Sequence, residues 1–418
     1  MGNSESTLQR EEKRILRQPQ QGEVSEFYWA CRNGEAERVK ELLQTIPYDD
    51  LNRLEPNGST PLHAASYAGQ AEVVRLLSYE RGCRRDRLNL HGLTAYEEAA
   101  SEEIRQLFHR PNGKNRFCED ESDNEPLASQ IFKVTTKEEA EGDDDVDDDF
   151  VGDQWVADLR SKDQIEDAKQ FDAAAKAISQ SKITMAVAKM LDKENDLHTW
   201  MNDVRTLIHH EVTEAHPEFE KCISLLEKGL KEKRPEPLLR LYTLETPFYK
   251  ALATYSSIPL TLPLYGLLDK LKPRHFHGTS YRGLKMTSED LRPYRWALKK
   301  KGTVSTQTFC STSLDRSVAE RFAGTSTDEK QSVLMIFTFP TKCDTAINLG
   351  KLSEKLPCIS EYEDEAEVLV LASTLFIVNQ MDTEARPMTV HLENVEVKRR
   401  NLLSSLKYIY DQSKKQHW

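Results

Sequence analysis

Apolar positions fall into three regimes along this chain. Between residues 24 and 110 they recur three and four apart in short runs: Val39, Leu42 and Leu43 follow Gly34, and Val73, Val74, Leu76 and Leu77 follow Gly69. That spacing predicts short amphipathic helices separated by glycine turns. From about 151 to 235 the helical spacing continues, with Ala168, Phe171, Ala175 and Ile178, then Met185, Ala188 and Leu191, then Trp200, Val204 and Leu207. After Pro235 and Pro237 the period changes. Ser332 to Phe339, Glu367 to Leu371, Thr374 to Val378 and Thr389 to Val397 are rich in β-branched and aromatic residues and predict strands. Helices first and strands after predict an α+β domain rather than a doubly wound one.

The first regime repeats itself. Asn57-Gly58-Ser59-Thr60-Pro61-Leu62-His63-Ala64-Ala65 returns 34 residues later in weaker form as His91-Gly92-Leu93-Thr94-Ala95-Tyr96, and Ala30-Cys31-Arg32-Asn33-Gly34 opens a third copy upstream. This resembles an ankyrin array, whose signature is T-P-L-H-x-A at a period of about 33 residues. The middle copy is the strong match, as expected when the outer copies must face water on one side. A protein-binding module and a structural cap are both open readings of it.

Composition divides the rest. The net charge is −12, with 38% hydrophobic and 30% charged residues. Residues 119–149 hold fourteen Asp and Glu against two Lys; removing them from the totals of 69 acidic and 57 basic residues leaves 55 of each. The acidic block predicts a solvated spacer. As a calcium loop it fails, because Asp148 stands where Gly is needed and Gln154 where Glu is needed. No basic footprint of nucleic-acid binding is present. Seven scattered cysteines without C-x-x-C spacing are expected to be reduced thiols, with no metal. His209-His210-Glu211 lacks the second His of H-E-x-x-H, since Glu214 holds that place. The first thirty residues contain no secretory h-region, so a cytoplasmic location is expected. Met1-Gly2-Asn3-Ser4-Glu5-Ser6 fits the myristoylation pattern, making Gly2 a candidate lipid tether to a membrane; a plain disordered N-terminus is the competing reading.

Three short segments carry the candidate chemistry: Tyr281-Arg282-Gly283; Phe309-Cys310-Ser311-Thr312-Ser313, with Ser311 29 residues after Arg282; and Glu365-Ala366-Glu367-Val368-Leu369, with Glu367 56 residues after Ser311. Each alone reads as ordinary strand surface. In this order, with Leu241-Tyr242-Thr243 and Phe248-Tyr249-Lys250-Ala251-Leu252 before them and Ala319, Phe322 and Phe376-Ile377-Val378 around them, they resemble the arginine-serine-glutamate class of mono-ADP-ribosyltransferases over roughly residues 196–382.

The resemblance implies NAD as co-substrate and arginine side chains of proteins as acceptors. Glu367 would stabilise the ribosyl cation formed as nicotinamide leaves. Ser311 would orient Glu367, and Arg282 would pair with a cofactor phosphate while bracing the cleft. Gly283 would let backbone groups reach the nicotinamide amide. Phe322 reads either as a nicotinamide contact or as a core aromatic. Glu365, on the same face as Glu367 if the segment is a strand, would align the acceptor guanidinium. The implied organisation is a disordered 1–23, an ankyrin domain 24–110, an acidic linker 111–150, a helical segment 151–195, a catalytic domain 196–397 and a basic tail 398–418. Three rival readings remain: an ankyrin adaptor on an inactive transferase fold, an NAD glycohydrolase, and the histidine-tyrosine-glutamate class, for which His277-Gly278-Thr279 speaks but residues 303–322 supply no tyrosine.

Overall fold

The computed structural model describes residues 22–111, 132–135, 196–254, 260, 263–264, 267–300, 303–306, 308–371 and 374–395. Gly2, the helical pattern at 168–191 and the basic tail from 398 lie outside them.

The N-terminal array consists of short helices: α1 (Glu26–Asn33), α2 (Ala36–Leu43), α3 (Tyr48–Leu51), α4 (Pro61–Tyr67), α5 (Ala71–Arg75), which runs on as a π-helical turn over Leu76–Glu80, and α6 (Glu102–Gln106). They close on a core of Phe27, Val39, Leu62, Val74, Leu77 and Phe108. Gly34, at φ 76°, caps α1 in the left-handed region, a conformation that costs glycine little. At the start of α4 the Thr60 hydroxyl accepts from the His63 amide, and Pro61 occupies the first turn. The His63 ring is buried. Its Nδ1 lies 2.8 Å from Thr60 Oγ1 and its Nε2 lies 3.0 Å from the Leu93 carbonyl oxygen, so one histidine ties two successive repeats.

A second unit begins with helices α7 (Asp196–Glu211), α8 (Phe219–Glu232), α9 (Glu236–Thr243) and α10 (Pro247–Thr254). Val204, Ile208, Leu225, Leu238, Leu241 and Phe248 form their common core, joined by Leu369 from the sheet and Leu371 just beyond it. The remaining elements are β1 (Phe132–Thr135), β2 (His275–Met286), α11 (Ser288–Lys300), β3 (Thr303–Thr306), β4 (Cys310–Ser313), α12 (Arg316–Ala323), β5 (Gln331–Asn348), β6 (Glu367–Val370), β7 (Leu375–Asp382) and β8 (Met388–Asn394). The strands form one sheet in the order β1-β3-β7-β8-β5-β2-β4-β6, with β5 also pairing β6. Only β5–β8 is parallel among the named pairings. The 18-residue β5 does double duty: its first half lies between β2 and β8, and its last residues pair with β6. The sheet therefore folds back at the β2-β4-β6 corner.

The expected α+β layout is found, with one departure. Phe132–Thr135, inside the stretch read as spacer, pairs antiparallel with β3. The acidic composition around it hid a four-residue segment with a strand-like sequence. His209 and His210 are exposed, as surface residues of α7. Among the described residues no helix is long and apolar enough to cross a membrane.

Burial lowers the His63 pKa from 6.5 to about 4. The neutral ring belongs to the folded state, so its contribution is intact above pH 6.5 and is lost as pH falls toward 4. Between pH 6.5 and 5 the loss is about 2 kcal/mol. Urea unfolding followed across that range should show a shallower pH slope in His63→Gln than in the wild type; equal slopes would contradict this.

Candidate active site

Strand β4 brings the second motif between the first and third. Tyr281 on β2 pairs with Ser313, and Ser313 pairs in turn with Glu367 on β6. Ser311 stands opposite Leu369, which makes Ser311 and Glu367 diagonal neighbours across an antiparallel pair. Ser311 Oγ donates to Glu367 Oε1 at 2.6 Å. A second hydroxyl, Ser360 Oγ, donates to Oε2 at 2.7 Å. Both oxygens of a carboxylate only 2% exposed are thus held. Such charge-assisted bonds fix the group's orientation before any ligand arrives. Ser360 was not singled out in the sequence. A lone serine seven positions before a glutamate carries no signal, and only the fold aims it.

Arg282 is buried, and its Nη1 donates to the Ser311 carbonyl oxygen at 2.8 Å. In this structure it braces β2 against β4 and lines the cleft beside Ser311 and Glu367. Gly283 has a tighter reason to be glycine than reach toward a ligand. A Cβ there would stand 1.7 Å from the Ala319 carbonyl oxygen of α12. That close approach seats α12 on the sheet and delivers Phe322, half-buried, to the cleft. Cys310 is fully buried, and burial raises its thiol pKa, which makes it an inert core residue.

Glu365 and Glu367 both line the cleft, but not as alternate residues of one strand. Residues Glu363–Glu365 form a 3-10 turn, and Ala366 is left-handed at φ 44°, ψ 50°. The strand starts only at Glu367. The same-face argument for Glu365 therefore falls; a turn, locked by Ser313 Oγ donating to the Glu365 carbonyl oxygen at 2.7 Å, places it instead. Its carboxylate meets an arginine from the N-terminal array. Arg110 Nε lies 2.8 Å from Oε1 and Nη2 lies 3.0 Å from Oε2. His277 is exposed on β2 and does not line the cleft.

The cleft is narrow in this structure, with about 10 Å³ open to a water-sized sphere, roughly the room one water needs. Among the described residues no group of three or more His, Cys, Asp or Glu could hold a metal.

Comparison with known proteins gives two separate likenesses. A family model described as ankyrin repeats (3 copies) matches residues 26–112, so this segment is an ankyrin array. Myotrophin of Xenopus tropicalis is 40% identical over 52 residues, covering 12% of this chain and 42% of myotrophin. Among solved structures, the ADP-ribosyltransferase HopU1 of Pseudomonas syringae pv. Tomato is similar at TM-score 0.31 and 11% identity, covering 46% of this chain and 87% of its own. Exoenzyme S of Pseudomonas aeruginosa, solved with human 14-3-3 protein beta and carba-NAD, is similar at TM-score 0.31 and 18% identity, covering 49% and 97%.

Two substitutions test this geometry. Ser360→Ala removes one of the hydroxyls on a buried carboxylate and should cost about 1–3 kcal/mol in urea unfolding. Gly283→Ala forces a methyl into backbone and should cost about 3 kcal/mol, or abolish folding. A Gly283→Ala protein of wild-type stability would show that α12 does not sit as described.

Proposed function

We propose that this chain transfers ADP-ribose from NAD to arginine side chains of proteins and releases nicotinamide. The observation that carries the reading is the buried Glu367 carboxylate, held through both oxygens by Ser311 and Ser360 beside a cleft lined by Arg282, Gly283 and Phe322. The order and surroundings of the three motifs support it.

NAD presents a cationic nicotinamide on ribose. In the reaction the ribose C1′–N bond breaks, and its electron pair leaves with nicotinamide. Positive charge spreads over the ribose ring, where a fixed carboxylate stabilises it as it develops. A guanidine nitrogen then bonds to C1′ and gives up one proton. Glu367 is the charge-stabilising residue and touches the ribose; Ser311 and Ser360 position it. Glu365 receives the acceptor guanidinium by two parallel hydrogen bonds and aims its nitrogen. Arg282 holds the cleft wall and pairs with a phosphate, and Phe322 covers the nicotinamide. The array presents protein substrates, the enzyme works in the cytoplasm, and acylation at Gly2 tethers it to membranes.

NAD hydrolysis with water as acceptor is the second reading. One observation favours it: Glu365 already carries a guanidinium, so water has readier access than an incoming arginine.

Agmatine and NAD supply the test. Glu367→Ala should lose both transfer and NAD cleavage by a factor of 100 or more, of the order seen when a transition-state electrostatic contact is removed. Glu365→Gln should lose transfer and keep cleavage. Full activity in Glu367→Ala refutes the reading; retained transfer in Glu365→Gln refutes only the arginine specificity.

A further inference from the structure

Residues 361–365, immediately before the catalytic strand, are gripped along their whole length by the ankyrin array. Glu361 lies 3.4 Å from Arg85 Nε. The Tyr362 ring is covered by two guanidinium groups, Arg110 at 4.0 Å and Arg85 at 5.6 Å. Glu363 faces Thr94. Asp364 lies 3.6 Å from His109 Nδ1. Glu365 takes the bidentate pair from Arg110.

The surroundings of Arg110 are those of a guanidinium receptor. Two carboxylates flank the group: Glu365 through Nε and Nη2, and Glu245, two residues past the end of α9, through Nη1. An aromatic face closes one side. Planar guanidinium between carboxylates and on an aromatic ring is a high-affinity arrangement for arginine in particular. Arg110 itself is 9% exposed and stands one residue before the end of the described array, at Pro111.

We propose that Arg110 fills this protein's own acceptor site, made by Glu365 and Tyr362, while Glu245 holds the one nitrogen that a substrate guanidinium would present for reaction, so that the array is a tethered competitor of substrate arginines. The proposal rests on the transferase reading given above. All three guanidinium nitrogens are engaged by carboxylates, which leaves none poised to bond to a ribose carbon. Arg110 is therefore a blocker and not an acceptor. A tethered group competes at an effective concentration in the millimolar range. Foreign guanidines gain the site when the segment around Arg110 peels away, which leaves the rest of the array in place.

The test uses the full-length chain with agmatine and NAD. Arg110→Gln should lower the KM for agmatine at least tenfold while the KM for NAD stays within about twofold. It should bind agmatine at least tenfold tighter in calorimetry, a readout that needs no turnover. If NAD is not cleaved by either protein but agmatine binding tightens, the catalytic reading has failed and the guanidinium site stands. If NAD is cleaved and both agmatine constants are unchanged, the occupancy proposal is overturned. Should Arg110→Gln fold poorly, the unaltered protein answers: saturating agmatine should accelerate hydrogen exchange over residues 104–110, and unchanged exchange there overturns the proposal. ADP-ribose found on Arg110 by mass spectrometry would overturn it equally, because a blocker is not consumed.

Discussion

One buried carboxylate joins the parts of this molecule. Glu361, 4% exposed, takes Lys221 Nζ from α8 at 2.8 Å, Arg240 Nη1 from α9 at 3.0 Å and faces Arg85 of the array. Lys221, itself only 1% exposed, is shared with Glu218 at 2.7 Å. The Glu361 amide donates to Thr243 Oγ1 at 2.9 Å. Charges this deep are tolerated only when fully paired, and removal of one partner leaves an uncompensated ion at a cost of about 3–5 kcal/mol. The knot therefore fixes where the segment 361–365 runs. Array, helical layer and sheet meet on it.

From that fixed point the cleft follows by short steps. Ser360, one residue before the knot, reaches Glu367 from one side, and Ser311 on β4 reaches it from the other. Arg282 ties β4 to β2, and Gly283 lets α12 settle against the same strand. A carboxylate that is desolvated yet doubly hydrogen-bonded keeps one orientation. The proposed chemistry asks for that: a charge already in place when the ribosyl cation forms.

Much of this was legible in the sequence wherever the contact is local or repeats. The 34-residue recurrence reads out the array because each repeat solves the same packing problem. Strands β5 to β8 announce themselves by β-branched and aromatic runs, although β5 runs nine residues beyond Phe339. Ser311 and Glu367 are readable together only through the resemblance carried by the order of the three motifs; the register that makes them diagonal neighbours appears with the fold. Glu365 was placed on the right cleft for the wrong reason, since E-x-E looks like strand alternation and Ala366 breaks it. Arg110, 255 residues from Glu365, and Glu245, 135 residues from Arg110, have no local signature. Both look like surface charges until the chain folds. The strand at Phe132–Thr135 was masked by acidic neighbours that say nothing about four residues of pairing.

The left-handed Ala366 separates two jobs that a continuous strand would have welded together. On an extended strand, any change that turned Glu365 would drag the register of β6 and with it Glu367. A left-handed joint between them absorbs rotation in a single residue. The turn carrying Glu365 can then be rebuilt, lengthened or re-aimed by mutation while the sheet that holds Glu367 keeps its pairing. On the proposed function, the choice of acceptor becomes a replaceable fitting mounted on an unchanging bond-breaking frame, and the hinge pin between them is one alanine.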